Sequence, residues 1–273
     1  MQRSNKYTIL FAAAVCLVCA IFVSSAAVAL KPLQEANKIL DVQKKVLDVS
    51  GVLGEGESLT PEEITARFEE LIEGQVIELA SGAVAEGIDI VDFDQKKATK
   101  DPAQSSEAPS NKAGLLRIPT NATVYTVRED GAVKTIVLPI SGKGLWSTLY
   151  GFLALEADTS TIKGITFYEH GETPGLGGEI DNPIWKAKWP GKQAFGADDP
   201  TTPRITVIKG MARDTEEGRT HHIDGLAGAT ITARGVSDLV QFWLGDHGFG
   251  PYLSNFREGA APQQPQGDEG GGS

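Results

Sequence analysis

The sequence predicts an α+β fold: one N-terminal transmembrane helix, followed by an exported two-part domain of antiparallel strands flanked by helices. Three observations predict it. An uncharged apolar run lies near the N-terminus, a central series of β-branched segments is broken by turn signals, and helical periodicity appears on both sides of that series.

From Tyr7 to Leu30 the chain reads YTILFAAAVCLVCAIFVSSAAVAL, without a charge, a Gly or a Pro. At about 1.5 Å per residue a helix of this length exceeds the hydrocarbon core of a bilayer. Ala27-Val28-Ala29 also resembles a signal-peptide cleavage site, but the apolar run is longer than the usual signal core, so a retained anchor is expected. Arg3 and Lys6 precede the run and stay in the cytoplasm, which leaves residues 1–6 inside and sends the rest outward. Cys16 and Cys19 each follow a valine, not the small residue of a lipoprotein signal. Nothing in the span ionises, so it lines no ion path alone.

Leu33, Ala36, Leu40 and Leu47 continue at helical spacing, so the anchor is expected to extend as an amphipathic helix. Thr60-Pro61-Glu62-Glu63 signals a second helix through a cap, a first-turn Pro and a capping box, with Ile64, Phe68 and Leu71 on one face and Gly74 as its stop. Gln75–Ala80 reads as a short strand, completing a membrane-proximal segment over 31–93. Residues 94–112, poor in large apolar side chains, read as a linker or exposed insertion. The main domain is expected over 113–258, with strands at Thr123–Val127, Val133–Ile140, Phe152–Leu155, Ile162–Tyr168 and Arg204–Ile208. Its last helix carries Val236, Leu239, Val240, Trp243 and Leu244 on one face and stops at Gly245. The low-complexity tail, 259–273, is expected to be disordered.

Charge and composition exclude several function classes. The chain has 25 Lys+Arg against 36 Asp+Glu, and its longest basic run is Lys96-Lys97, so nucleic acid is not an expected partner. Both cysteines lie in the apolar run, which excludes a disulfide scaffold, a Cys-ligated cluster or covalent haem in the remainder. His170-Gly171-Glu172 lacks the Cys pair of a zinc deaminase, and adjacent His221-His222 cannot both face one ion from a regular element, so no metal site is predicted. Gly175-Leu176-Gly177-Gly178 lacks the third Gly of a dinucleotide fingerprint, and Gly142-Lys143 lacks the upstream Gly of a P-loop.

The chemistry concentrates in Asp224-Gly225-Leu226-Ala227-Gly228-Ala229-Thr230-Ile231-Thr232, just before the last helix. Small residues let the backbone approach a bulky group, while a hydroxyl and free N–H groups at a helix N-terminus favour a phosphate. On these grounds alone it is equally a plain helix-capping turn.

Asp224-x-x-Ala227-Gly228-Ala229-Thr230-x-Thr232 resembles the flavinylation motif of FMN-binding domains, in which the threonine at the 230 position is esterified to the FMN phosphate by a Mg-dependent flavin transferase of the ApbE type. His170–Ile180 with Asn182-Pro183-x-Trp185 and Trp189-x-Gly191-Lys192, together with Gly142–Gly151, resembles the NqrC family of the Na⁺-translocating NADH:quinone reductases. The related G subunit of the Rnf complex shares the anchor and the flavin motif and is the nearest alternative. A colourless exported binding or scaffold protein is the alternative of another class.

The resemblance implies a membrane-anchored carrier holding FMN covalently on Thr230 and relaying electrons, with NADH binding and Na⁺ movement left to other subunits of the complex. It implies a flavin site built from Asp224, Ala227, Gly228, Ala229 and Thr232, from the turn Glu172-Thr173-Pro174-Gly175-Leu176-Gly177, and from Lys209, Trp146 and Tyr150. In that site Leu176 lies against the ring, or its turn is a plain surface loop, and Lys209, closing the strand that ends at Ile208, balances flavin or phosphate charge or is simply solvated. Asp224 orients the Thr230 hydroxyl, holds the transferase's metal, or is an ordinary solvated turn residue. Trp146 and Tyr150 pack beside the ring or serve as core. No general acid or base is required, because the redox chemistry belongs to the cofactor.

Overall fold

A single helix, α1 (Asn5–Val49), runs unbroken in the computed structural model, which describes residues 5–54 and 57–259. The expected cytoplasmic stretch is described only at residues 5 and 6, and the expected tail lies outside the described residues apart from Gly259. The chain divides into two units, Met1–Gln43 and Lys44–Ser273. In the first, the apolar side chains of Ile9, Leu10, Phe11, Leu17 and Phe22 are exposed along a helix long and apolar enough to cross a membrane. Pro32 lies inside the helix and cannot donate a backbone N–H, so the turn before it lacks one hydrogen bond.

The second unit opens with the buried end of α1, where Val46 and Leu47 are fully covered. Thr60 caps α2 (Pro61–Leu71) through the expected box: Glu63 N donates to Thr60 Oγ1, and Thr60 N donates to Glu63 Oε2 at 2.8 Å. The helix ends three residues before Gly74. Ile72 turns extended and begins β1 (Ile72–Glu78) directly, while Gly74 sits inside that strand. A Cβ at Gly74 would lie 2.3 Å from Ile90 Cδ1, so its missing side chain serves close packing and not helix termination.

Residues 94–112 are also ordered. Asp94 caps α3 (Gln95–Lys100), Ala98 is buried, and β2 (Ser105–Glu107) pairs with β3 (Arg117–Pro119). Polar side chains do here what apolar burial does elsewhere: Asn111 Nδ2 donates to the carbonyls of Pro109 and Leu115, and Leu115 N donates back to Asn111 Oδ1.

The centre of the unit is an antiparallel sheet in the order β1, β4 (Asn121–Glu129), β5 (Ala132–Lys143), β6 (Thr148–Glu156), β7 (Ile162–Glu169). Beyond β7 the chain forms a 3₁₀ turn over Gly177–Asp181, the single-turn helix α4 (Pro183–Lys186) and the hairpin β8 (Phe195–Gly196) with β9 (Asp199–Pro203). The strand expected over Arg204–Ile208 shortens to β10 (Thr206–Val207). After α5 (Glu216–His221), β11 (His222–Ile223) pairs with it in parallel. Then come α6 (Thr230–Leu244), stopped at Gly245 as expected, and α7 (Gly250–Arg257), which the sequence reading did not anticipate although Gly250-Pro251 is a fair start signal.

Period-two alternation decides what each sheet face meets. Ile136, Leu138 and Ile140 share the main core with Leu149, Leu153 and Leu155 and with Val236, Leu239 and Val240 of α6. Tyr150 and Phe152 belong to the other face, where Phe68, Tyr125, Phe152 and Tyr168 form successive ring contacts. Helix α6 lies close against β5 because two glycines permit it. A Cβ at Gly235 would stand 2.4 Å from the Lys143 carbonyl oxygen, and one at Gly142 would stand 2.5 Å from Leu239 Cβ. Trp243 Nε1 then donates to Ser141 O at 2.7 Å and fixes the far end of the helix. Gly235→Ala is therefore expected to push α6 off the sheet and cost roughly 1–3 kcal/mol by overpacking. Urea unfolding of the full chain in detergent checks this, with exposed Arg234→Ala as the unaffected neighbour.

Candidate functional site

A carboxylate organises the region in front of α6. Glu172 is buried, and four donors converge on it: Leu145 N at 3.2 Å, Trp146 N at 2.9 Å, Ser147 N at 3.3 Å and Thr232 Oγ1 at 2.5 Å. Burial works to raise its pKa, but the Thr232 hydroxyl and the amides of Trp146, Leu145 and Ser147 outweigh it and hold the carboxyl below its ordinary value. These donors come from the β5–β6 connection and the first turn of α6, while Glu172 itself follows β7. One side chain thus joins three separate segments. Two glycines leave room for it: a Cβ at Gly144 would lie 2.6 Å from Glu172 Oε1, and one at Gly177 would lie 2.7 Å from Oε2. Ser147 Oγ reinforces the junction by accepting from Gly171 N at 2.6 Å.

The turn before α6 lies beside this junction. Ala227 and Gly228 are exposed, and Gly228 has φ +72°, a left-handed conformation that favours glycine. A Cβ there would also meet Leu176 Cδ2 at 2.9 Å, so the 172–177 turn and the 227–230 turn touch. Within the former, Leu176 N and Gly178 N both donate to Thr173 O, and Gly175 takes φ +76°. Ala229 is buried. Thr230 is exposed as the first residue of α6, and among the described residues no side chain caps that helix end. Helix N–H groups there are available to an anion. Around them stand exposed apolar side chains: Leu145, Trp146, Leu176 and Ile231, with Trp146 67% exposed.

Not every expected site residue joins this group as expected. Thr232 is fully buried with its hydroxyl donated to Glu172, so it shapes the site and does not face it. Tyr150 is half-buried on the sheet face opposite α6, where Lys96 Nζ stands 3.9 Å above its ring and Tyr168 packs beside it. Strand alternation sets it apart from the turn, which the ordering of 94–112 made invisible in the sequence. Lys209 is exposed in the segment after β10 rather than closing a strand. Asp224 is not a solvated turn residue. Oδ1 accepts from Ala212 N at 2.7 Å, and Oδ2 forms an ion pair with Lys188. The Ala212 amide first, then the Lys188 ammonium, hold its carboxyl below the usual range. Its backbone carbonyl accepts from Trp185 Nε1 at 2.8 Å. Lys188 and Ala212 were not foreseen; Lys188 lies in the turn that follows α4, three residues after Trp185.

Comparisons with known proteins give the chain its relatives. The profile of FMN-binding domains matches residues 144–245, the stretch that runs from the Gly144 turn through α6. The NqrC component of the Na⁺-translocating NADH-quinone reductase of Pseudomonas aeruginosa is 47% identical over 262 residues, covering 95% of this chain and 99% of its own. Its counterpart in Vibrio campbellii is 43% identical over 262 residues, covering 94% of this chain and 97% of its own. The crystal structure of Shewanella oneidensis NqrC superposes with a TM-score of 0.74 at 33% identity, covering 82% of this chain and 99% of that one. The corresponding protein of Parabacteroides distasonis, at 24% identity and a TM-score of 0.63, shares the fold, covering 82% of this chain and 97% of that one. On these identities and coverages, the chain belongs to the NqrC family of the Na⁺-translocating NADH-quinone reductases.

Proposed function

We propose that this protein is the flavin-carrying, membrane-anchored electron-transfer subunit of a Na⁺-translocating NADH:quinone reductase, with FMN attached to Thr230 through a phosphoester. The observation that carries the proposal is the exposed Thr230 hydroxyl at an uncapped helix N-terminus, bordered by exposed apolar side chains that a planar ring system would cover. The residues fit the group. A phosphoester anion at the start of α6 is favoured by the helix dipole by about 0.3–1 kcal/mol. Gly228 and Gly177 keep the turns close, while Leu176, Trp146, Leu145 and Ile231 offer apolar contact. Bound FMN supplies one-electron redox chemistry.

This chain's own residues tether and position. The Thr230 hydroxyl needs an activated flavin phosphate, because joining free FMN would require loss of water. With a flavin dinucleotide as donor, the phosphoanhydride breaks as the Oγ–P bond forms, a nucleoside monophosphate leaves and the hydroxyl proton is released. A flavin transferase of the ApbE type fits this step. Glu172 fixes the Trp146 turn and the first turn of α6, so the tether starts from a rigid base. The helix Asn5–Val49, long and apolar enough to cross a membrane, together with the NqrC relatives supports a single-pass inner-membrane protein. Arg3 and Lys6 favour a periplasmic domain, with NADH binding and Na⁺ movement on partner subunits.

Two measurements test the reading. Co-expression with the transferase is expected to give one FMN phosphoryl adduct by intact mass and in-gel fluorescence, lost in Thr230→Ala; a wild type that stays unmodified beside an active transferase overturns it. Glu172→Gln offers a glutamine one carbonyl oxygen where four donors converge, so a loss of about 1–3 kcal/mol is expected at pH 7. Because the folded carboxyl titrates below its ordinary value of 4.5, its contribution is complete above that pH and fades as pH falls through the lower, folded value. Urea unfolding at pH 7 and at progressively lower pH should therefore show wild type converging on the variant in acid.

A further inference from the structure

Asp224 stands six positions before Thr230, and both of its carboxylate oxygens are taken. Oδ1 accepts from Ala212 N at 2.7 Å, and Oδ2 pairs with Lys188. Its neighbour Gly225 donates from N to Gly210 O at 2.7 Å, and a Cβ there would lie 2.2 Å from Ile208 O, so the 208–212 segment lies directly on this stretch of backbone. Ile208 N also donates to Ile223 O at 2.9 Å, which holds the start of the segment. Lys209, Gly210, Met211 and Arg213 are exposed, Gly210 takes φ +82°, and residues 208–215 belong to no helix or strand.

The other side of the arrangement is rigid. Asn182 Oδ1 accepts from Ile184 N and caps α4, Trp185 is buried edge-on against Trp189 with ring centroids 5.6 Å apart, and Trp185 Nε1 donates to Asp224 O at 2.8 Å. Lys188 follows on the same turn of chain. The carboxylate therefore bridges an anchored base to an exposed segment. In this role each of its oxygens already carries a partner from the protein itself.

Resting on the reading of Thr230 as the attachment residue, we propose that Asp224, Lys188 and Trp185 form a latch that holds the Lys209–Arg213 segment beside the attachment turn, making Lys188 and Trp185 positioning residues for flavin attachment. Opening the latch lets the exposed segment sample other conformations and lowers the fraction of molecules the transferase can accept. A smaller competent fraction raises the apparent KM for the acceptor and leaves kcat unchanged.

The test uses the full-length, unmodified protein in detergent. Trypsin cleavage after Lys209 and Arg213 is followed first, and then transfer from a flavin dinucleotide by the transferase with Mg²⁺. Asp224→Asn and Lys188→Met are each expected to speed cleavage and to raise the acceptor KM by about tenfold, because both release the same local structure. The double variant should be no worse than the more affected single one, and Lys188→Arg should behave as wild type. If Asp224→Asn blocks transfer while Lys188→Met is cleaved and modified like wild type, Asp224 acts directly on the reaction and the latch is wrong. Should Asp224→Asn fail to fold, Lys188→Met against Lys188→Arg decides alone, and equal behaviour of those two overturns the proposal. Cleavage is read before any flavin is added, and Thr230→Ala should match wild type in it. A wild type that never takes flavin thus refutes the attachment reading while the cleavage pattern still judges the latch.

Discussion

A buried carboxylate sets the geometry on which the rest of the site depends. Glu172 is costly to place out of water, and its place is stable because the amides of the 145–147 turn and the hydroxyl of Thr232 surround it. Each of those donors belongs to a segment that would otherwise be a surface loop or a free helix end. Removing the charge would leave the donors of the 145–147 turn and of α6 without their common acceptor.

The framework behind the carboxylate is built from close approach. Gly142 and Gly235 bring α6 against β5, Trp243 ties its last turn to Ser141, and the core residues of α6 fill the space between. A helix pinned at its middle and end has a fixed first turn. That turn is where Thr230 stands exposed and where Thr232 reaches Glu172. Packing and hydrogen bonding therefore fix the same few residues from opposite directions, a consistency that favours one arrangement over its neighbours.

Local signals in the sequence were legible and contacts between distant segments were not. The anchor, the Thr60 box, the five main strands and the Gly245 stop follow from spacing and capping, and the α+β class follows from them. Thr230 and Glu172 stood out through family motifs. The order in 94–112 stayed hidden because it rests on Asn111 and Asp94 bonding to backbone, and composition alone cannot reveal that pattern. The partners of Asp224 were equally invisible. Lys188 and Ala212 lie 36 and 12 residues away, and nothing near Asp224 announces either. The sequence left two places open for Tyr150 for a related reason, since its sheet face depends on register and its cover on α3.

The span of chain that Glu172 joins also imposes an order in time. Its donors sit 26 residues before it, at Trp146, and 60 residues after it, at Thr232. A chain made from its N-terminus can complete the sheet while the last of these partners is still missing, and long-range closures of this kind are slow. The turn before α6 therefore cannot take its final shape until the Thr232 hydroxyl has reached Glu172. A partner that depends on the shape of that turn meets it only in molecules whose helix α6 has already docked on the sheet.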